Sequence, residues 1–309
     1  MREIYNLDEA LELCKVLSSP IRIEIIRILK QNRLVNLNEL SEMLGVTNGA
    51  ITAHIKMLYK EGIIDIIHSP GKRGVQKNCF LKEHKFLINL FSDYKPENVY
   101  EVSMPVGSYT QHDVFPTCGL ATQTALIGQV DDPRYFDDPK RNDAGILWFT
   151  KGFVEYRIPN YLKPLCKVEE IQISMEISSE APGVCEDWPS NILFFMNDIL
   201  LGDWISPGDY GNAKGLYTPD WWFDNWNQYG LLKLLTINKE GTFLDGRKLS
   251  DITIGKLDLN ETSDMKFKLA VTDESKPIGG MTLFGKGFGN YNQDINVRVI
   301  FKENPEKNL

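Results

Sequence analysis

Apolar positions recur at helical spacing over the first 90 residues of the chain and alternate with polar ones beyond residue 99. Leu7, Ala10, Leu11, Cys14 and Leu17 predict a first helix, with Cys14 as a small core residue on its apolar stripe. Ser18 or Ser19 stands where a cap would, and Pro20 follows in the first turn of a second helix, where a missing N–H costs nothing. Ile21, Ile25, Ile28 and Leu29 predict that helix's buried face. Asn36 precedes Glu39 by three residues, the spacing of a reciprocal cap, and starts a short helix from Leu37 to Leu44 that Gly45 ends. Thr47 caps the next helix, on which Ile51, Ile55 and Leu58 share one face. The β-branched run Ile63 to His68 and the segment Asn78 to Leu81 predict a hairpin around Ser69-Pro70-Gly71-Lys72-Arg73-Gly74. His84 to Asp93 reads as another short helix, with Phe86, Leu87, Leu90 and Phe91 apolar, and Lys95-Pro96-Glu97-Asn98 breaks the pattern.

The alternating part holds three clear strands: Ile171, Ile173, Met175, Ile177; then Met265, Phe267, Leu269, Val271; then Ile295, Val297, Val299, Phe301. Gly145 to Phe149, Phe153 to Ile158, Asn191 to Met196 and Leu231 to Ile237 are further strand segments between clusters of Gly, Pro, Asn and Asp. Many short, half-buried strands predict an antiparallel β-sandwich of jelly-roll type. The chain therefore reads as a multidomain α+β protein. Residues 1–91 form a winged helix-turn-helix domain, residues 92–98 a linker, and residues 99–303 a β-sandwich for effector binding or dimerisation.

A length of 309 residues fits two domains. The net charge of −8 is unevenly divided. Residues 1–91 hold 13 Lys and Arg against 10 Asp and Glu, and the remainder holds 21 against 32. Positive charge is thus concentrated in the part expected to meet phosphate. Asn48, Thr52, Lys56 and Lys60 recur every four residues on a face away from the apolar one. Short polar groups near a helix N-terminus suit base edges, and cations further along suit phosphate. The candidate DNA-binding residues are Thr47, Asn48, Thr52, His54, Lys56 and Lys60 on the helix, with Lys72, Arg73 and Lys77 on the wing. Arg22 and Arg27 are either backbone contacts or solvated charges.

The succession LSSPIRIEIIRIL, LNELSEMLGVTNGAITAHIKMLYKEGII and a basic wing resembles the ArsR family of winged-helix repressors over about residues 1–91. That resemblance implies a dimeric, ligand-responsive regulator, usually a repressor, on double-stranded DNA whose operator is an inverted repeat. The family's cysteine-bearing metal motif corresponds here to Glu39-Leu40-Ser41-Glu42-Met43-Leu44, which lacks cysteine. Metal sensing is not carried over.

Five of the six tryptophans fall between Asp187 and Tyr229, in a stretch rich in Asp and Asn that contains a long loop after Ser206. Indole faces stack on sugar C–H faces while carboxylates and amides take hydroxyls. The segment Asn197 to Asp209 also resembles strands of carbohydrate-recognising sandwiches. Trp188, Trp204, Asp209, Tyr210, Trp221, Trp222, Asp224 and Trp226 are the candidate effector residues, with sandwich core as the alternative role for the tryptophans. Trp221 and Trp222, being adjacent, are not both expected to point inward.

Five cysteines in no CxxC pair point to reduced structural thiols. With no secretory signal and no apolar run of membrane-spanning length, a cytoplasmic protein without membrane contact is expected. His112, Cys118 and Cys185 have no metal-site spacing, no GxSxG elbow occurs, and Gly285-Lys286-Gly287-Phe288-Gly289 departs from a dinucleotide fingerprint. No cofactor, metal or catalytic residue is assigned. The expectation is a non-enzymatic, homodimeric, DNA-binding repressor with a sugar-sensing sandwich. The alternatives are a glycoside-active enzyme carrying a DNA-binding domain, and a sandwich that only mediates assembly.

Overall fold

The computed structural model describes residues 2–32, 34–71, 74–82, 85–88, 98–163, 166–259 and 264–303. The chain divides into two compact units, Met1–Pro96 and Glu97–Leu309.

The first unit runs β1 (Arg2–Ile4), α1 (Leu7–Leu17), α2 (Pro20–Gln31), β2 (Val35–Asn36), α3 (Leu37–Leu44), α4 (Asn48–Lys60), β3 (Ile64–Gly71), β4 (Gly74–Leu81) and β5 (Phe86–Ile88). The reciprocal cap forms: Asn36 Oδ1 accepts from the amides of Asn38 and Glu39 at 2.9 and 3.0 Å, and Glu39 Oε2 accepts from the Asn36 amide at 3.0 Å. Gly45 ends α3 in the left-handed conformation at φ +64°. Ile25, Leu29, Leu40, Ile51, Ile55, Leu58 and Cys79 fill a core between the helices and the three-stranded sheet β2-β4-β3. This is a winged helix-turn-helix.

Three expectations for this unit are corrected. On α1 the buried residues are Ala10, Leu13 and Val16, while Leu7 and Leu11 are about half exposed and Cys14 is exposed. The helix carries two apolar stripes, and the core took the one in phase with Leu13. Arg22 is not a free cation. It is buried, its Nε and Nη2 donate to the carbonyls of Val16 and Lys15, and it thereby closes the C-terminus of α1. Arg27 stays exposed, paired with Glu24. Finally, Phe86–Ile88 forms a strand parallel to β1, not a helix, because pairing with Arg2–Ile4 gives its backbone partners. The remainder of the expected helix, residues 89–93, and His84 lie outside the described residues.

The second unit is built from β6 (Val99–Met104), β7 (Gln111–Ala121), β8 (Ile146–Ile158), β9 (Cys166–Ser178), β10 (Ser190–Met196), β11 (Ile199–Ser206), β12 (Leu231–Asn238), β13 (Gly241–Leu244), β14 (Arg247–Ser250), β15 (Met265–Val271), β16 (Met281–Phe284) and β17 (Ile295–Glu303). All pairings are antiparallel. One layer is β11-β10-β15-β8, with β7 on the other edge of β8, and the second is β9-β12-β13-β14, with β17 and β6 beyond β9. β16 bonds to both β8 and β9 and joins the layers. Ser250 Oγ donates to the Leu201 carbonyl at 2.5 Å, which ties β14 to β11 and nearly closes the sandwich into a barrel. The inward positions of the alternating strands, including Ile171, Ile173, Met175, Phe267, Leu269, Val297 and Val299, meet in one core. The two strand segments expected on either side of residue 151 are one strand, β8.

Candidate functional sites: a polar helix face and an aromatic cleft

α4 begins at Thr47, whose hydroxyl accepts from the Ala50 amide at 3.3 Å. With Ile51, Ile55 and Leu58 locked inward, the remaining positions have no choice of direction. Thr47, Asn48, Thr52, Lys56 and Lys60 are all exposed. The Thr52 hydroxyl donates back to the Asn48 carbonyl at 2.7 Å, which leaves its lone pairs outward. His54 is half-buried with Nδ1 shielded and unpartnered, so it sits behind this row rather than in it. Lys77 is exposed on β4, while Lys72 and Arg73 lie outside the described residues. Sequence reasoning missed Gly49 and Ala53, which are also exposed on α4. Their small size leaves the backbone of this face open to close approach, and two small residues four apart beside a polar row were the available signal.

The tryptophan-rich segment separates into different roles. Trp222 is buried, packed edge-on against Trp148, Trp226 and Phe288 with centroids 5.8, 4.9 and 5.0 Å away, and its Nε1 donates to the Asn227 carbonyl at 2.9 Å. It is core. Trp221 is half-buried and donates to the Gln123 carbonyl at 2.6 Å. Trp204 packs against the main core with the Lys233 ammonium 4.5 Å from its ring centroid. Tyr210 stacks on Tyr229 at 5.3 Å. Trp188 and Asp224 are exposed. Asp209 is fully buried and Oδ2 accepts from the Ala181 amide at 3.0 Å, yet burial pushes its carboxyl up to about 7.

Of the eight candidates only Trp226 lines the cleft that this end of the sandwich forms. That cleft measures about 160 Å³ and is walled by Trp148, Trp226, Thr117, Asp131, Glu180 and Asn227. Glu180, just past β9, is buried at its floor. Its Oε2 accepts from Asn227 Nδ2 at 2.8 Å and from Thr282 Oγ1 at 2.7 Å. Burial first, then the neighbouring Asp209, holds its carboxyl well above the usual carboxylate range. Two glycines make the room. A Cβ on Gly280, at φ +66°, would meet Glu180 Cβ at 2.7 Å, and one on Gly119 would meet the Trp148 ring at 2.3 Å. A register break in β7 between Phe115 and Cys118 carries Thr117 to the rim, and Asp131 is anchored there by the Cys118 amide at 3.0 Å.

Glu180, Trp148, Asp131 and Thr117 escaped sequence reasoning because each sits alone in its own segment. Pro116 inside a strand was the one local cue to the break. A second polar hollow of about 330 Å³ lies among Thr122, Gln123, Thr124, Asn142, Asp143, Lys286 and Asp294. Among the described residues no group of three or more His, Cys, Asp and Glu side chains is arranged to hold a metal ion. No described helix is long and apolar enough to cross a membrane.

A family model described as winged helix-turn-helix DNA-binding matches residues 18–65. No curated protein matches the chain. Among solved structures, reduced HlyU from Vibrio cholerae N16961 is 22% identical over 25% of this chain and 75% of its own, with a TM-score of 0.21. The CBM36-1 domain of a multidomain xylanase from the hindgut metagenome of Trinervitermes trinervoides is 8% identical over 65% of this chain and 96% of its own, at a TM-score of 0.29. CBM51 from Clostridium perfringens GH95, in complex with methyl-galactose, is 11% identical over 66% and 95%, at 0.22.

Proposed function

We propose that this protein is a DNA-binding transcriptional regulator, a repressor that acts as a homodimer on an inverted-repeat operator and whose β domain binds a small polar effector of the carbohydrate class. The observation that carries the DNA-binding part is the exposed row Thr47, Asn48, Thr52, Lys56 and Lys60 on a helix whose opposite face is fully committed to the core. The family-model match over residues 18–65 supports the same reading. The exposed apolar stripe Leu7, Leu11 and Cys14 on α1 supports a second copy packing there. The effector part is supported by the cleft, which offers two indoles, an amide, a hydroxyl and carboxylates in one small space. A coupling of about 1–3 kcal/mol between the two sites suffices for regulation.

The test is fluorescence anisotropy of a labelled duplex drawn from the region upstream of the gene, titrated at fixed salt with and without monosaccharides. Specific binding that one sugar shifts supports the whole reading. Binding that no sugar moves removes the effector class, and binding no tighter than to random duplex removes the regulator.

One observation favours a second reading of the β domain, as a glycoside-active enzyme. A carboxyl of raised pKa, Glu180, shares the cleft with Asp131, and two carboxyl groups flanking a sugar are the requirement for hydrolysis. Turnover of chromogenic glycosides, lost in Glu180→Gln, distinguishes it.

A further inference from the structure

The lining of the aromatic cleft has carboxylates and no cation. Among the described residues Lys, Arg and His are absent from its walls, whereas Glu180 and Asp131 both line it. Glu180 is 8% exposed, and both hydrogen bonds to its carboxyl group arrive at Oε2. Among the described residues nothing donates to Oε1, on the side chain that forms the cleft floor. Asp209 lies close enough behind to raise the Glu180 pKa further, and its own Oδ1 has no partner. The walls are Trp148 and Trp226, with ring centroids 5.8 Å apart and planes at 62°, so the indoles form a corner.

A neutral hydroxyl would satisfy the open Oε1 but bring no positive charge to a cleft that holds the carboxyl groups of both Glu180 and Asp131. An organic ammonium does both, since it donates to a carboxylate oxygen and is attracted to indole faces within about 6 Å. A bare metal ion is less suited, because two apolar indole walls take up the positions where further oxygen ligands would stand. We propose that the cleft is a binding site for the protonated amino group of a small organic amine, with Glu180 Oε1 as its ion partner, Trp148 and Trp226 as its walls and Asp131 at its mouth. This rests on the reading of the β domain as an effector sensor and narrows the effector's chemistry. Burial and Asp209 favour the protonated carboxyl of Glu180, and an ammonium at Oε1 supplies the opposite charge that favours the ionised form. A volume of about 160 Å³ admits a head group or one ring. An amino sugar and a simple alkylamine therefore share the required chemistry.

The test is isothermal titration of the full chain at fixed pH and ionic strength with glucosamine, glucose, N-acetylglucosamine, propylamine and calcium chloride. Glucosamine is expected to bind about tenfold or more tighter than glucose and N-acetylglucosamine, a factor that corresponds to about 1.4 kcal/mol. Glu180→Gln retains an oxygen for Asn227 and Thr282 and should bring the affinity for glucosamine down to that for glucose. Asp131→Asn, at an exposed position, should reduce the preference about threefold and guards against a folding defect in the first variant. Propylamine that competes with glucosamine identifies the ammonium alone as the determinant; propylamine that does not bind while glucosamine does assigns the site to amino sugars. Equal affinity for glucosamine and glucose, unaffected by either variant, overturns the amine and leaves a neutral-sugar sensor. Calcium binding lost in Glu180→Gln, with no amine bound, overturns it in favour of a metal. Silence of all five probes overturns both the amine and the carbohydrate reading, and leaves DNA binding untouched.

Discussion

The two units place function in opposite ways. In the winged helix the exposed row Thr47, Asn48, Thr52, Lys56 and Lys60 lies on one face of a single helix, within a span of 14 residues. In the β domain the cleft is assembled from positions as distant as Thr117 and Asn227, and its principal acid is buried. The first arrangement makes a site whose parts fail one at a time. The second makes a site that shares its residues with the core, so that stability, ionisation and recognition are coupled.

The largest expected effect tests that coupling. Trp222→Ala removes a buried indole that packs on Trp148, Trp226 and Phe288 and should destabilise the β domain by about 3–5 kcal/mol. Differential scanning calorimetry should show its transition lowered by about 2–4 °C per kcal/mol. The affinity of the chain for non-specific duplex should stay unchanged. If DNA binding falls in parallel, the contrast between the units is wrong.

A second test uses pH. Glu176, Glu180 and Asp209 are buried acids whose pKa is raised, to about 8 for Glu176 and about 7 for Asp209. For a raised acid the folded state holds protons that the unfolded chain has already released. Its stabilising contribution is complete below the ordinary carboxylate range and is lost as pH rises through about 7 to 8. The β-domain transition should therefore fall between about pH 5 and pH 8.5, and Asp209→Asn should flatten the slope. Among the described residues of the first unit the buried polar side chains are Arg22, Asn36 and Asn78, with no carboxylate among them, so its transition should move little over the same range.

Smaller effects belong to the helix face. Asn48→Ala or Thr52→Ala should cost about 1–3 kcal/mol of discrimination between operator and mismatched duplex, measured by competition anisotropy. Asn36→Ala removes a cap and should lower the stability of the first unit by about 1 kcal/mol. Lys56→Ala should weaken binding to all sequences alike and reduce the slope of log affinity against log salt by about 1. If Lys56→Ala instead shifts sequence preference, the division of the face into base-reading and phosphate-binding ends is incorrect.

What was legible in the sequence follows from the same contrast. The cap at Asn36, the stripe Ile51-Ile55-Leu58 and the wing hairpin depend on neighbours a few residues away, and each stands where its spacing put it. Strands such as Met265–Val271 were equally local. The choice between two apolar stripes on α1 was not, because Leu7-Leu11 and Leu13-Val16 are equivalent until the core takes one. Nor was the pairing of Phe86–Ile88 with a strand some eighty residues earlier. Composition drew attention to the tryptophans, but core and cleft use the same residue type. Only tertiary packing separates Trp222, sealed inside, from Trp226, which faces the cleft. Glu180 gave no local sign at all, since its significance comes from Asp209, Asn227 and Thr282.

Asn36 is both the cap of α3 and the residue that pairs with Asn78 in the sheet from which the wing extends. The helix-turn-helix and the wing are consequently tied to the same residue, one through its side chain and the other through its backbone. A torque on the hairpin would then reach the start of α3 through one residue, so that the two parts would tilt as one lever. Release from DNA would then take the form of a whole-domain rotation, with contacts in the groove and along the backbone lost in a single step.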